Sequence, residues 1–147
     1  MSLTTKILKE ITPLTQGDCF LLFSRTKKEF DFPLHFHEEF EMNFIQNAAG
    51  AKRVVGDHVE EIGDTELVLV GPNLRHGWFT HKCKDKIVNE ITIQFHRDLF
   101  DEKFLNRNQM SFIKKNSAGF FKRYFIFQGY NFGHHAQVDP ITTKTWI

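Results

Sequence analysis

Residues 34–42 read LHFHEEFEM. On an extended strand, residues two apart share a face. His35, His37 and Glu41 then point one way, with Glu39 between them, while Phe36, Phe40, Met42 and, just beyond, Phe44 point the other. One face carries ligand-type side chains and the other large apolar ones. If the polar face lines the inside of a barrel, the phenylalanine face lies outside and needs a cover, because a large exposed apolar patch marks an interface. A second subunit and a terminal helix are the two candidates for that cover.

The text around this stretch reads as short strands broken by turn residues. Upstream, "CFLLF" (19–23) is an apolar run of strand length, and Pro33 belongs at a strand edge or start. Downstream, "NAAGA" is a turn, and the two Gly-Asp pairs of "KRVVGDHVEEIGD" are turns as well. "TELVLVG", "GWFTH" and "IVNEITIQF" supply three more strands, the last alternating from Val88 to Phe95. Strands at this density argue for a sandwich or barrel rather than an α/β fold. From Asp98 the period changes. Asp98 is placed to cap a helix whose apolar stripe is Phe100, Phe104 and Leu105, and a second helical piece fits Gln109 to Lys115.

A length of 147 residues fits one domain with a substantial core. A composition 41% hydrophobic and 25% charged is that of an ordinary globular protein. The net charge of +1, with no concentrated basic stripe, gives no phosphate-binding face and so no nucleic-acid contact by this chain itself. The two cysteines, Cys19 and Cys83, lie far apart and outside any CxxC pattern, which fits a reduced cytoplasmic setting. No apolar run approaches a membrane span, and the first residues lack the apolar core of a signal peptide.

A fourth ligand-type group follows in "VGPNLRHGW", where His76 stands after a Gly-Pro-Asn turn. Three imidazoles and one carboxylate suit zinc, iron, manganese, nickel or copper, and the set alone does not choose among them. An HxH pair on a strand converges two rings that leave one face about 7 Å apart at the backbone. The other reading of His35, His37, Glu41 and His76 is a polar pocket lining with no metal, its groups hydrogen-bonded to one another.

HxHxxxE followed by a Gly-Pro turn and a histidine resembles the two motifs of cupins. More specifically, "FPLHFHEEFEMNFI", "GDHVEEIGDTELVLVGPNLRHGW" and "QFHRDLFDEKFL" together resemble the N-terminal sensor domain of AraC-type transcriptional regulators, over roughly residues 12–115. The resemblance implies an all-β cupin double-stranded β-helix, a jelly-roll-like barrel, with one or two C-terminal helices. It also implies a small effector pocket inside the barrel, a homodimer, and a separate DNA-binding helix-turn-helix domain. Two departures stand out. The second cupin motif, Pro-x-Gly-x-x-His, is one residue shorter here, at Pro72 to His76, and lacks its glycine, which argues against chemistry at the site. And residues 116–147 do not read like the family's continuation. They hold both tyrosines and five of the 17 phenylalanines, without helical stripe or strand period. They read either as an aromatic arm packing on the barrel or a partner, or, preferably, as a truncated or frame-changed tail, with the helix-turn-helix units absent from this chain.

The remaining features are weaker. Trp78 and Phe79 either wall a pocket or pack in the core, the second being the commoner outcome. Lys52, Arg53 and Arg75 either hold an anionic effector or, as charges on turns usually do, face solvent. Asp57 and Asp64 serve turns. His134 and His135 either join a metal site or, as loop histidine pairs more often do, serve no role. Neither cysteine has a nucleophile's surroundings.

The expectation is therefore a non-enzyme: a cupin sensor domain at 1–115 with an atypical tail at 116–147. It would bind a small polar effector, such as a sugar, through His35, His37, Glu41, His76 and Trp78, and would form a homodimer. It would have no membrane contact and would reach DNA only through a domain beyond this chain. The cofactor is none or one transition metal ion held by His35, His37, Glu41 and His76. The rival expectation is a small metal-dependent cupin enzyme, a dioxygenase or sugar isomerase, using those same four residues.

Overall fold

A computed structural model describes residues 7–110, 125–129 and 142–143. The architecture is all-β, in two sheets. The strands are β1 (Leu8–Lys9), β2 (Phe20–Lys27), β3 (His35–Phe36), β4 (Phe40–Gln46), β5 (Lys52–Val55), β6 (His58–Glu61), β7 (Thr65–Val70), β8 (His76–Phe79), β9 (Val88–Phe95), β10 (Phe125–Gly129) and β11 (Thr142–Thr143). One sheet has the order β1-β3-β8-β5-β6 and the other β11-β10-β7-β4-β9-β2.

The core lies between the sheets. Val55 and Trp78 come from the first sheet and Ile45, Val68, Val70 and Val88 from the second, with Ala48, Ala51, Ile62 and Cys83 closing one end. The turns follow from residues able to take positive φ. Gly56 (φ 59) opens the two-residue β5–β6 connection, and Asn73 (φ 59) sits in the Gly-Pro-Asn turn before β8. Asparagine enters this left-handed region more readily than most residues.

In the six-stranded sheet the buried inner face is largely polar. Glu41 and Asn43 of β4, Glu66 of β7 and Glu90, Thr92 and Gln94 of β9 are all buried. The alternate positions Met42, Leu69, Ile91 and Ile93 form the opposite, apolar face, together with Phe20 and Leu22 of the edge strand β2. Part of that outer face is covered. Phe40 is buried, stacks on Phe95 with ring centroids 5.4 Å apart, and Phe95 meets Phe100 edge-on at 5.2 Å. Of the residues expected on an external face, Phe36, Met42 and Phe44 are half-buried, whereas Phe40 is enclosed by the chain that follows β9.

The helical part is shorter than its periodicity implies. One turn, α1 (Glu102–Leu105), is capped by Asp101, whose carboxylate accepts from the Phe104 N–H at 2.7 Å; Asp98 is not the cap. A 3-10 turn follows at Asn108–Met110, and the rest of the second expected helix lies outside the described residues. Phe125–Gly129, which shows no strand period, pairs antiparallel with β7 along its whole length. His134 and His135 lie outside the described residues. Among the described residues no helix is long and apolar enough to cross a membrane.

Candidate functional site

The strand carrying HxHxxxE is not continuous. β3 ends at Phe36 and belongs to the five-stranded sheet, whereas β4 begins at Phe40 in the six-stranded one. His37 to Glu39 cross between the sheets. His35, His37 and Glu41 meet because both strands turn these positions toward the space between the sheets, and not because they share one strand face.

His76 joins them. It stands opposite His35 in the β3–β8 pair, and its ring centroid lies 4.2 Å from that of His35 and 4.9 Å from that of His37. The turn before it is tied to the cluster, since the Asn73 N–H donates to the His37 carbonyl at 2.7 Å. The shortened second motif therefore still delivers its histidine. One ligand atom from each of His35, His37, Glu41 and His76 lies within 4.8 Å of the others, and all four residues are buried.

The tautomers are fixed from outside. Each Nδ1 lies against a backbone carbonyl, which can only accept: His35 on Pro33 (2.9 Å), His37 on Glu39 (3.1 Å) and His76 on Leu74 (2.8 Å). All three Nε2 atoms are left for the interior. Nε2 of His37 is 3.1 Å from Glu41 Oε2. Nε2 of His76 is 3.5 Å from Glu41 Oε1 and, though buried, has no hydrogen-bond partner among the described residues. Nitrogen lone pairs facing a carboxylate repel unless a cation stands between them. Without a metal that cation is a proton on His37. Burial disfavours its charge, but the hydrogen bond to Glu41 and its negative field outweigh burial and raise the His37 pKa. Burial likewise opposes ionisation of Glu41, and contacts with His37 and His76 overcome it, holding Glu41 well below the carboxylate range. His35 goes the other way: burial first, then the His76 ring, push it down to about 4.

This gives a pH prediction for the chelator-treated protein. The His35 ring is neutral in the folded state down to about pH 4, while the unfolded chain takes up that proton near 6.5. The unfolded state thus binds more protons in this window, and the His35 contribution to stability is lost as pH falls from 6.5 to 4. His35→Gln is expected to remove roughly 3 kcal/mol of that acid-side loss, read from denaturant titrations at the two ends of the window.

Beside the cluster lies a cavity of about 150 Å³, whose walls include Glu10, His35, Glu41, Trp78, Thr92 and Gln94. Gln94 donates to both Glu41 (3.1 Å) and Glu10 (3.4 Å), and its own Oε1 is buried without a partner among the described residues. Arg25 and Lys27 also line the cavity and pair with Glu90 at 3.4 and 2.8 Å. Trp78 both packs in the core and walls the cavity, while Phe79 is exposed. Glu10, Thr92 and Gln94 were not singled out from sequence. The signal for Thr92 and Gln94 was the polar half of the alternation in β9.

Gly77, between His76 and Trp78, lets β8 lie close to the chain before β3. A Cβ there would stand 3.3 Å from the Leu34 Cα and 3.5 Å from its Cδ1. Gly77→Ala is expected to cost about 1–3 kcal/mol through overpacking, read as a lowered melting temperature.

Arg53 corrects the expectation of a solvated charge on a turn. The alternation of β5 turns it inward, where it is fully buried and pairs with Glu66 across the sheets and with Glu60 at 2.7 Å. Trp78 donates to the other Glu66 oxygen at 3.3 Å. Lys52 is half-buried, and Arg75 pairs with Asp57 and donates to the Gly56 carbonyl at 3.0 Å.

No protein-family model and no curated protein matches the chain. Two solved structures of ToxT from Vibrio cholerae are similar. One is 16% identical over 67% of this chain and 38% of that one, with a TM-score of 0.48. The other, an unsaturated fatty acid bound wild-type ToxT from strain SCE256, is 20% identical over 56% of this chain and 31% of that one, with a TM-score of 0.42. This chain thus spans well under half the length of either.

Proposed function

We propose that this chain is the effector-sensing and dimerisation module of an AraC-type transcriptional regulator, with the cupin double-stranded β-helix as its scaffold. The observation that carries the reading is the cavity between the sheets, where buried polar groups face an aromatic wall of Phe23, Phe30, Phe32 and Trp78. Buried polar groups cost free energy unless they are paired, and here a buried acceptor, Gln94 Oε1, is kept at the cavity wall without a partner among the described residues. A volume of about 150 Å³ suits a molecule the size of benzene. The effector is thus a small polar metabolite, a sugar fragment or a comparably compact molecule. Binding would favour one arrangement of the module and so bias a DNA-binding domain joined to it. The exposed Phe20, Leu22 and Ile91 on the outer sheet face support a homodimer interface there. Residues 1–115 form the sensor in this reading, with 116–147 as the tail.

The four converging donors support a transition-metal ion as part of the site. The donor chemistry fits: three Nε2 atoms fixed by outer hydrogen bonds, one carboxylate, and an orphaned His76 Nε2. A bound ion would neutralise Glu41 in place of the His37 proton and supply a fixed positive charge beside the cavity. His35, His37, Glu41 and His76 would hold it, and their backbone partners would keep the rings aimed.

A thermal-shift screen of small polyols, sugars and polar acids tests the sensor. A ligand at about 100 times its Kd adds roughly 2.7 kcal/mol and raises the melting temperature. Gln94→Leu should abolish that rise. A screen in which no polar ligand stabilises the wild type would count against the reading. The convergence of His76 also favours a second reading, a metal-dependent cupin enzyme. Turnover of a sugar or of an oxidisable substrate by the metal-loaded chain, lost in His76→Ala, would establish that one instead.

A further inference from the structure

We propose that Glu10 is a fifth residue of the ion site, its carboxylate closing the side that faces the cavity. The inference rests on the reading that His35, His37, Glu41 and His76 hold a transition metal.

Glu10 comes from a distant part of the chain. β1 runs parallel to β3, with Leu8 opposite His35 and Lys9 opposite Phe36. The Leu8 N–H donates to the Leu34 carbonyl at 3.0 Å and the Glu10 N–H to the Phe36 carbonyl at 2.9 Å. These bonds bring the Glu10 side chain to the His35 side of the cluster. Its Oε2 lies 3.5 Å from His35 Nε2. Because the Pro33 carbonyl takes the His35 Nδ1 proton, that Nε2 presents a lone pair to an oxygen that is itself an acceptor. In the neutral ring neither atom carries the proton that a hydrogen bond between them needs.

The same oxygen is drawn toward Glu41. A single Gln94 amide donates to Glu10 Oε2 at 3.4 Å and to Glu41 Oε2 at 3.1 Å, so two carboxylates lie side by side at the cluster. Like charges held this close call for positive charge beside them, and a single proton on His37, 3.1 Å from Glu41 Oε2, balances only one of the two carboxylates. Among the described residues the cations of the cavity wall, Arg25 and Lys27, are paired with Glu90. An ion among the histidines would satisfy both carboxylates and the His35 lone pair at once. Of the four donors, His35 and Glu41 also line the cavity, as Glu10 does. Glu10 therefore stands where an open coordination position would otherwise face a bound molecule. Five protein donors suit an ion that organises a sensor, whereas a catalytic ion keeps a position free.

The test uses the full 147-residue chain, stripped with chelator and titrated with Co(II) against a chromophoric competitor. The wild type is expected to bind one Co(II). Glu10→Gln keeps the shape and removes the charge. It is expected to weaken binding by about 10–100-fold, the range seen when a partner of a metal site is lost, and to intensify the visible Co(II) bands as the coordination number falls. Lys9→Ala severs the neighbouring Lys9–Glu38 contact (3.1 Å) on the same strand without touching a donor, and should leave affinity unchanged. Equal affinities for Glu10→Gln and wild type would overturn the proposal while leaving the four-residue site standing. So would an equal loss in Lys9→Ala, which would trace the effect to docking of β1. A wild type that binds no Co(II) would remove the ion site and this proposal with it.

Discussion

Arg53→Met is expected to destabilise the fold by about 3–5 kcal/mol, the cost of removing one partner from a buried ion pair. Arg53 and Glu66 are both fully buried and sit on opposite sheets, Arg53 on β5 and Glu66 on β7. Taking the guanidinium away leaves the Glu66 carboxylate charged in a poorly solvating interior, with the Trp78 indole N–H (3.3 Å) a weak substitute. For a chain of this length the loss corresponds to roughly 10 °C in melting temperature. Methionine keeps most of the volume, so the loss reads the charge and not a cavity. The double variant Arg53→Met with Glu66→Gln removes both charges and keeps an acceptor for Trp78. It should recover most of the stability, because a buried pair exchanged for neutral groups is often no less stable. Urea titrations of the two singles and the double form the cycle. Independent, additive losses would show that the pair is not a unit.

His76→Ala is expected to cost more metal affinity than any change outside the four donors, beyond the roughly 10–100-fold that loss of an outer partner brings. The ring is buried and aimed by its bond to the Leu74 carbonyl, and its Nε2 faces Glu41 Oε1 at 3.5 Å with no hydrogen-bond partner among the described residues. Equilibrium dialysis with Zn(II) or Ni(II) checks this, with urea stability measured alongside so that unfolding is not mistaken for lost binding. Unchanged stoichiometry and affinity would mean that His76 is only a wall residue.

Much of the site was legible because its chemistry is written in residue types. HxHxxxE and a later turn histidine name four donors without any structure. The route to convergence was not legible. Period-two spacing puts His35, His37 and Glu41 on one strand, yet the chain changes sheets at His37 to Glu39. A crossover that returns the side chains to the same interior leaves the spacing unchanged. Arg53 was misplaced for a related reason. In the short strand Lys52–Val55 two cations are adjacent, and nothing local says which one turns inward. The clue lay elsewhere, in Glu66, a lone carboxylate inside the apolar run of β7. β9 inverts the usual rule: Glu90, Thr92 and Gln94 face in, and Ile91 faces out. An alternating strand shows two faces but not which one is buried, and here the polar face lines a cavity. Glu10 carries no motif at all. Only the pairing of β1 with β3 brings it to His35.

The strand order was partly legible too. Turn residues such as Gly56 and Asn73 mark chain reversals through their positive φ, and those reversals delimit β5, β6, β7 and β8. Phe125–Gly129 shows the limit, since its place beside β7 comes from backbone pairing and not from any apolar period.

Native mass spectrometry of the chain, purified without chelator or imidazole and measured again after EDTA, tests the central claim most directly. The account predicts one transition-metal ion per chain, lost to EDTA, and retention of a small polar molecule by the metal-loaded form. A metal-free mass from a metal-replete preparation, with no bound small molecule, would contradict it.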